Sequence, residues 1–315
     1  QINGFSKLSK QEKIDWISKT HFSDSQKAAH QLSSYWNSSP EVQTRHDEFI
    51  ENTLTNFYMP LGVAPNFLIN DALYTLPMVI EESSVVAAAG NAAKFWFSKG
   101  GFEAKIIDTI KVGQVHFLYE GAPSILNSFF KNNKSKLLEA TKPLTLNMEK
   151  RGGGIVSLDL IDKTAALDHY YQLQVRFKTA DAMGANFINS CLESLADELE
   201  KVSQQDASFT EDNPKIEVIM SILSNYVPEC LVHAKVSCPI DSIEPQEGMD
   251  GATFAKKIVQ AIQIANCEPY RAVTHNKGIM NGVDALVLAT GNDFRAIEAG
   301  VHAYAARSGN YSSLS

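Results

Sequence analysis

Lys277 stands in the run His275-Asn276-Lys277-Gly278-Ile279-Met280-Asn281-Gly282, and a second polar run, Thr290-Gly291-Asn292-Asp293-Phe294-Arg295, follows it closely. A lysine in such a run offers a compact cation that can stabilise a developing oxyanion, and Asp293 could orient that ammonium and hold its proton. Gly278, Gly282 and Gly291 allow tight turns or close approach of a ligand to the backbone. The same residues also fit a surface lysine near a helix cap and an aspartate that is the N-cap of the next helix. Spacing alone leaves both readings open.

Glu81-Glu82 ends a strand-like run just before a stretch of small apolar residues. Burial raises a carboxyl pKa, which would make one of the two a general acid near neutral pH. The alternative is electrostatic capping of the helix that follows. As strand neighbours, only one of them can face inward. Asp181-Ala182-Met183-Gly184-Ala185-Asn186 lies between a strand and a helix, where backbone N–H groups at the helix start could receive a pyrophosphate. Arg151-Gly152-Gly153-Gly154 is either a second phosphate-facing loop or a flexible hairpin connection. No GxGxxG follows a strand with an acid some way on, which argues against an ordinary Rossmann site. Neither a GxSxG nucleophile elbow nor an HExxH zinc motif occurs. Cys191, Cys230, Cys238 and Cys267 lack CxxC or zinc-ligand spacing. Spare or buried thiols in a reducing compartment are the expectation, ahead of a metal pair with His233, and no metal is expected.

The elements that must position these groups fall into three textures. In the first fifty residues, Ser9 to Glu12 fits a capping box. Ala28, Ala29, Leu32 and Trp36 then recur at helical spacing, and Ser39-Pro40 starts another helix. Phe67 to Ile69 and Leu73 to Ile80 read as strands joined by a turn near Asn70-Asp71. Ser83 to Ala93 is small or apolar on every side, which predicts a helix buried all round. Next come Lys105 to Ile110 and Gln114 to Tyr119, expected as a hairpin about Lys111-Val112-Gly113. A helix from Pro123 to Ala140 follows, then strands over Ile155 to Ile161 and Tyr171 to Phe177, where alternation is clear. A helix from Gly184 to Val202, a polar surface loop from Gln204 to Asn213 and a strand over Lys215 to Met220 complete a β-α-β-β-α-β order. Helices return over Thr253 to Ala265, Asn276 to Leu288 and Asp293 to Ala306. The expected fold class is α+β. A mainly helical large domain with a buried central helix (residues 1–103 and 221–315) is interrupted by a small ferredoxin-like α/β sandwich (residues 104–220).

Composition agrees with a globular chain of this kind. Its 315 residues are 44% hydrophobic and 20% charged, and the length suits two domains. The net charge of −8 argues against nonspecific nucleic-acid binding, yet a few cations and helix N-termini can still hold a polyanionic small ligand. No stretch approaches the roughly 18 apolar residues that span a bilayer, and Gln1 to Lys10 carries no apolar signal region. A soluble, cytoplasmic protein with no membrane partner is expected.

Taken in order, Pro60-Leu61-Gly62-Val63-Ala64, Glu82-Ser83-Ser84-Val85-Val86-Ala87-Ala88, the Asp181–Asn186 run, His275-Asn276-Lys277-Gly278 and Thr290-Gly291-Asn292-Asp293 resemble the 3-hydroxy-3-methylglutaryl-coenzyme A (HMG-CoA) reductases, most of all the bacterial class II form. The resemblance implies an NADH- or NADPH-dependent four-electron reduction of the HMG-CoA thioester to mevalonate and coenzyme A, or the reverse oxidation. It casts Lys277 as the oxyanion stabiliser, Glu82 as a proton donor and Asp293 as the aspartate hydrogen-bonded between them. Ser84, Arg271 and Asn281 match positions that hold the hydroxymethylglutaryl group. Glu51, in Glu51-Asn52-Thr53-Leu54-Thr55, matches a substrate-binding stretch. Asp181, Met183, Gly184, Ala185 and Asn186 match the dinucleotide turn, with Asn225 nearby. The family is a homodimer whose active site draws on both subunits, and a central alanine-rich helix suits that assembly.

Three departures accompany the resemblance. The family continues into a C-terminal flap domain carrying a histidine that protonates the leaving thiolate, and a further glycine-rich cofactor segment is expected there. This chain stops at Ser315, and none of its eight histidines matches that place. Thr55 replaces a glycine of the substrate-binding stretch. Ser157 stands where NADH-selective members carry an acid, which leaves NADH and NADPH both open. Two other readings remain. One is an inactive coenzyme A- or dinucleotide-binding protein of the same fold, and the other is an unrelated lysine-dependent lyase working through a Schiff base.

Overall fold

The computed structural model describes residues 2–210, 214–245 and 248–315. Gln1, at the head of the polar start, and residues 211–213 of the expected polar loop lie outside them. The chain divides into two compact units, residues 1–60 and 61–315.

The first unit is helical: α1 (Lys10–His21), α2 (Ser25–Ser34) and α3 (Pro40–Asp47). The capping box forms at the start of α1. Glu12 N donates to Ser9 Oγ at 3.3 Å, and Ser9 N donates back to the Glu12 carboxylate at 2.7 Å. Trp36 lies beyond the end of α2. Its Nε1 donates to the Leu54 carbonyl at 2.9 Å, and Lys10 sits over its ring while pairing with Asp47 at 2.7 Å.

The second unit opens with β1 (Leu61–Ile69) and β2 (Ala72–Val79), an antiparallel hairpin. Asn70 and Asp71 take φ of 47° and 64°, the left-handed pair that matches the twist of the strands. Next is α4 (Ser83–Phe97), which packs on β1. The expectation of a helix buried all round does not hold within this chain. Val85 and Ala93 are buried, whereas Ala87, Ala88, Asn91 and Ala92 are exposed. One face meets the hairpin, and the opposite face of small residues meets no other element among the described residues.

The expected hairpin about residues 111–113 is also absent. β3 (Glu103–Thr109) pairs with β8 (Cys230–Lys235), while β4 (Lys111–Leu118) enters a separate sheet. Ile110 alone separates β3 from β4, and no residue from 110 to 113 takes the positive φ a tight hairpin needs. Gly113 serves a different purpose. A Cβ there would fall 2.5 Å from Leu192 Cδ1, so the glycine lets a helix lie close on the sheet.

That sheet also contains β5 (Gly154–Asp162), β6 (Tyr170–Lys178) and β7 (Glu217–Ser224). All are antiparallel, in the order β5-β6-β4-β7. With α5 (Pro123–Ala140) and α7 (Ala185–Gln205) as crossovers this is the expected β-α-β-β-α-β sandwich, joined by a short α6 (Lys142–Glu149). Its core is the larger of two in the unit. Val115, Phe117, Leu173, Val175 and Phe177 from the sheet meet Leu192, Leu195 and Leu199 of α7, all at most 1% exposed. Each such side chain contributes about 1.5–3 kcal/mol on leaving water.

The remaining helices are α8 (Gly251–Cys267), α9 (Pro269–Ala289) and α10 (Phe294–Ala305). α9 packs on β2, and Ala64, Met78, Val85 and Ala285 form the second, small core. Among the described residues no helix is long and apolar enough to cross a membrane.

Candidate active site

The site is built where β2 hands over to α4 and α9 passes alongside. Glu81 and Glu82 lie just past β2, both exposed, with Glu82 at the N-cap of α4. They are therefore not strand neighbours of opposite facing. Lys277 projects from the middle of α9, and its Nζ donates to Glu82 Oε2 at 3.5 Å. Ser84 Oγ donates to the other oxygen, Oε1, at 3.0 Å. Two groups, one from each of two distant segments, thus share the Glu82 carboxylate. The Ser84 hydroxyl, and after it the Lys277 ammonium, hold the Glu82 pKa below the usual carboxylate range. This is opposite to the direction expected from burial, because Glu82 is exposed and bonded through its charged form.

Asp293 makes its own bonds at the start of α10. As N-cap of α10, its Oδ1 accepts from Arg295 N at 3.1 Å and Ala296 N at 3.2 Å, with Arg295 Nε at 3.4 Å. The amide bond from Ala296 leads in keeping its pKa low. The structure brings Lys277 to Glu82 and leaves Asp293 bonded within its own helix turn, the capping alternative. Gly278 and Gly282 lie inside α9 rather than at turns, and a Cβ at either would meet open space.

Lys277, Asn281, Asp284 and Leu288 recur at helical spacing on α9. Asn281 lines a cavity of about 500 Å³ together with Ile80, Glu81, Asp284, Phe294 and Glu298. Arg271 is exposed in the first turns of α9, where its N–H is capped by Glu268. Glu51 belongs to the first unit and lines a hollow of about 350 Å³ with Lys10, Lys13 and Asp47.

The Asp181–Asn186 run is the turn from β6 into α7. Gly184, at φ 79°, is the N-cap, and a Cβ on it would strike Thr179 Cγ2 at 2.5 Å, so no other residue fits. No side chain caps α7 and no acid occupies its first turn, which leaves its amides open to an anion. Asp181, Met183 and Asn186 are exposed around it. Ala185 is its first residue, and Asn225 follows the end of β7, exposed. Ser157 Oγ donates to Asp159 Oδ2 at 2.8 Å on β5. The triple glycine links α6 to β5.

Two groups escape notice in the sequence. Asp284 Oδ1 is shielded from solvent beside Glu298, the one group near enough to interact with its carboxyl among those that shift its pKa. Burial first, then Glu298, pushes the Asp284 pKa up to about 7. Glu298 in turn lies 3.3 Å from His302 Nε2, and His302 Nδ1 meets the Tyr311 hydroxyl at 2.8 Å. Asn276, fully buried beside Lys277, donates to Tyr311 Oη at 3.1 Å and to the Ser312 carbonyl at 3.0 Å, and accepts from Leu314 N at 3.0 Å. The helical spacing of Asp284 from Lys277 was the available signal for the first; nothing local marks the second.

Comparison with known proteins bears on all of this. The family model for hydroxymethylglutaryl-coenzyme A reductase matches residues 9–314. A 3-hydroxy-3-methylglutaryl-coenzyme A reductase of Archaeoglobus fulgidus is 37% identical over 265 residues, 84% of this chain and 56% of its own length. A probable reductase of the same name from Borreliella burgdorferi is 34% identical over 86% of this chain and 59% of its own. The chain thus spans somewhat over half the length of these curated relatives. Among solved structures, a Streptococcus pneumoniae reductase superposes with a TM-score of 0.76 at 36% identity, over 99% of this chain and 70% of the other. The class II enzyme of that organism, bound to NADPH in open conformations, gives 0.75 at 36% identity, over 99% of this chain and 80% of the other. This chain belongs to the hydroxymethylglutaryl-coenzyme A reductase family.

Proposed function

We propose that the chain is the thioester- and dinucleotide-binding body of an NAD(P)H-dependent HMG-CoA reductase, which converts the thioester through a hemithioacetal and an aldehyde to mevalonate and coenzyme A, or runs the reverse oxidation. The observation that carries the reading is the approach of Lys277 Nζ to Glu82 Oε2, from segments far apart in sequence. A thioester carbonyl turning tetrahedral gathers negative charge on oxygen. A fixed ammonium favours that state over the ground state. Glu82 holds Lys277 in place as a carboxylate. To act as proton donor it must first be shielded by bound substrate, which raises its pKa against the pull of Lys277. Ser84, Arg271 and Asn281 hold the hydroxymethylglutaryl group, Glu51 is a further substrate-binding residue, and Asp293 is the third catalytic group of the proposal.

The open amides at the start of α7 suit the phosphates of a nicotinamide dinucleotide, which supplies hydride when bound. Asp181, Met183, Gly184, Ala185, Asn186 and Asn225 form its seat. NADPH is the form the streptococcal relative binds, and the lack of an acid at Ser157 is compatible with a 2′-phosphate. The seat belongs to a small domain, residues 104–220, and the thioester site to a large one, residues 1–103 and 221–315. A homodimer is part of the proposal. Leu61, Val63 and Leu73 on the hairpin are each more than half exposed, and α4 turns Ala87, Ala88 and Ala92 outward. The four free thiols suit the cytoplasm.

The test is oxidation of NADPH or NADH by the full-length protein on addition of HMG-CoA, followed by absorbance. Lys277→Ala should lower kcat by about 100-fold or more while sedimentation still reports a dimer. Turnover of K277A within a few-fold of the parent would remove the oxyanion role.

A further inference from the structure

Lys111 occupies a position where a lysine is out of place. Along β4 it shares a face with Gly113, Val115 and Phe117, the row that meets α7, and it pairs directly with Phe177 of β6. Its ammonium is turned to the end of the sandwich. There Nζ donates to Thr179 Oγ1 at 2.5 Å and to the Ala182 carbonyl at 2.6 Å, and Thr179 Oγ1 also donates to Ala182 O at 2.6 Å. These three contacts close the turn from β6 into α7 around Ala180, at φ 48°, and Gly184, at φ 79°. Thr179 is 1% exposed, so the clamp sits beneath the turn rather than on its surface.

Among the described residues no carboxylate pairs with the Lys111 charge. Neighbouring cations are paired: Lys178 with Asp108 at 3.5 Å, and Arg176 with Glu229 at 2.8 Å. The Lys111 hydrogen bonds to Thr179 and Ala182 go to neutral oxygens. Burial lowers its pKa, with Cys230 a lesser opposing influence. A half-buried cation without a carboxylate is costly unless an anion comes to it. The open amides of α7, which present the same sign of charge, start within the same turn.

We propose that Lys111 is the positioning residue of the dinucleotide seat, shaping the Thr179–Gly184 turn from below and supplying the positive field that the cofactor's phosphates meet. The inference rests on the reading of this turn as the nicotinamide site. Its test is direct binding of NADPH to the full-length protein by calorimetry at two ionic strengths, beside steady-state kinetics. Lys111→Met should weaken NADPH binding by about tenfold or more, flatten its salt dependence, raise the KM for NADPH and leave the KM for HMG-CoA unchanged. Lys111→Arg, which keeps the charge, should recover most of the loss. A purely structural lysine would not change the salt dependence. NADPH binding by K111M equal to the parent's, with equal salt dependence, overturns the inference. A parent protein that binds no dinucleotide overturns the site reading together with it. If K111M does not fold, Thr179→Val decides: weaker NADPH binding with HMG-CoA binding intact supports the clamp, and unchanged NADPH binding overturns it.

Discussion

Replacing Asp284 with Asn should make the protein more stable, and by an amount that grows with pH. In the folded chain Asp284 titrates at about 7, against an ordinary 3.8. Below about pH 4 the carboxyl is protonated in both folded and unfolded chains, so it contributes no difference. Between 4 and 7 the unfolded chain gives up its proton while the folded chain keeps it, and stability falls as pH rises. Above about 7 the folded chain also ionises, and the penalty is complete. At 1.36 kcal/mol per pH unit the gap corresponds to a ceiling of about 4 kcal/mol. Asp284 is partly exposed overall, and solvent screening brings the expected figure to about 2 kcal/mol. The groups facing it are Glu298 and Arg295 from α10 and Glu81 from the β2–α4 link, with His302 beyond Glu298. Asn keeps the shape of the protonated acid and can donate to Glu298 at every pH. Urea unfolding of parent and D284N from pH 4.5 to 8.5 (roughly the span of the linkage window) should give curves that diverge up to pH 7 and run parallel beyond. A difference independent of pH, or one that shrinks as pH rises, would refute the assignment.

Other substitutions test the packing. Phe117→Ala empties a fully buried position in the sandwich core and should cost about 3–5 kcal/mol in urea unfolding, with the helices outside the sandwich less affected in hydrogen exchange. Asn276→Ala removes all three bonds that pin residues 311–314 to α9. It should cost about 1–3 kcal/mol and speed exchange of the Leu314 amide. Exchange at Leu314 unchanged from the parent would show that the segment is held by other means.

Local chemistry made much of this fold legible. Pro123 marks the start of α5 and the periodicity carries it to Ala140, so both bounds agree with the reading. Asn70-Asp71 fixes its hairpin because few other residues accept two left-handed angles in succession. What was not legible is non-local. Whether β3 turns back on β4 or joins β8 depends on a partner more than a hundred residues away, and no turn residue records the choice. The outer face of α4 reads as core by its alanines, though Ala87, Ala88 and Ala92 are exposed among the described residues. The nearness of Glu82 to Lys277 follows only from the family resemblance, since no spacing links the two segments. The ionisation of Glu82 needs the Ser84 bond, which is invisible until the start of α4 is placed. Lys111 reads as part of a hairpin turn until the register makes it the first residue of β4 and puts it on the inward row.

The close fit of Gly113 against Leu192 has a consequence for how the sequence can drift. A side chain gained at 113 would have to be matched by a shorter one at 192, and by adjustment at Ile188, which lies 3.1 Å from the same point. Each step alone carries a cost: the first makes Leu192 and Ile188 give way in a packed core, and the second leaves a hole there. Related chains that gain a side chain at 113 should therefore carry a compensating change at 192.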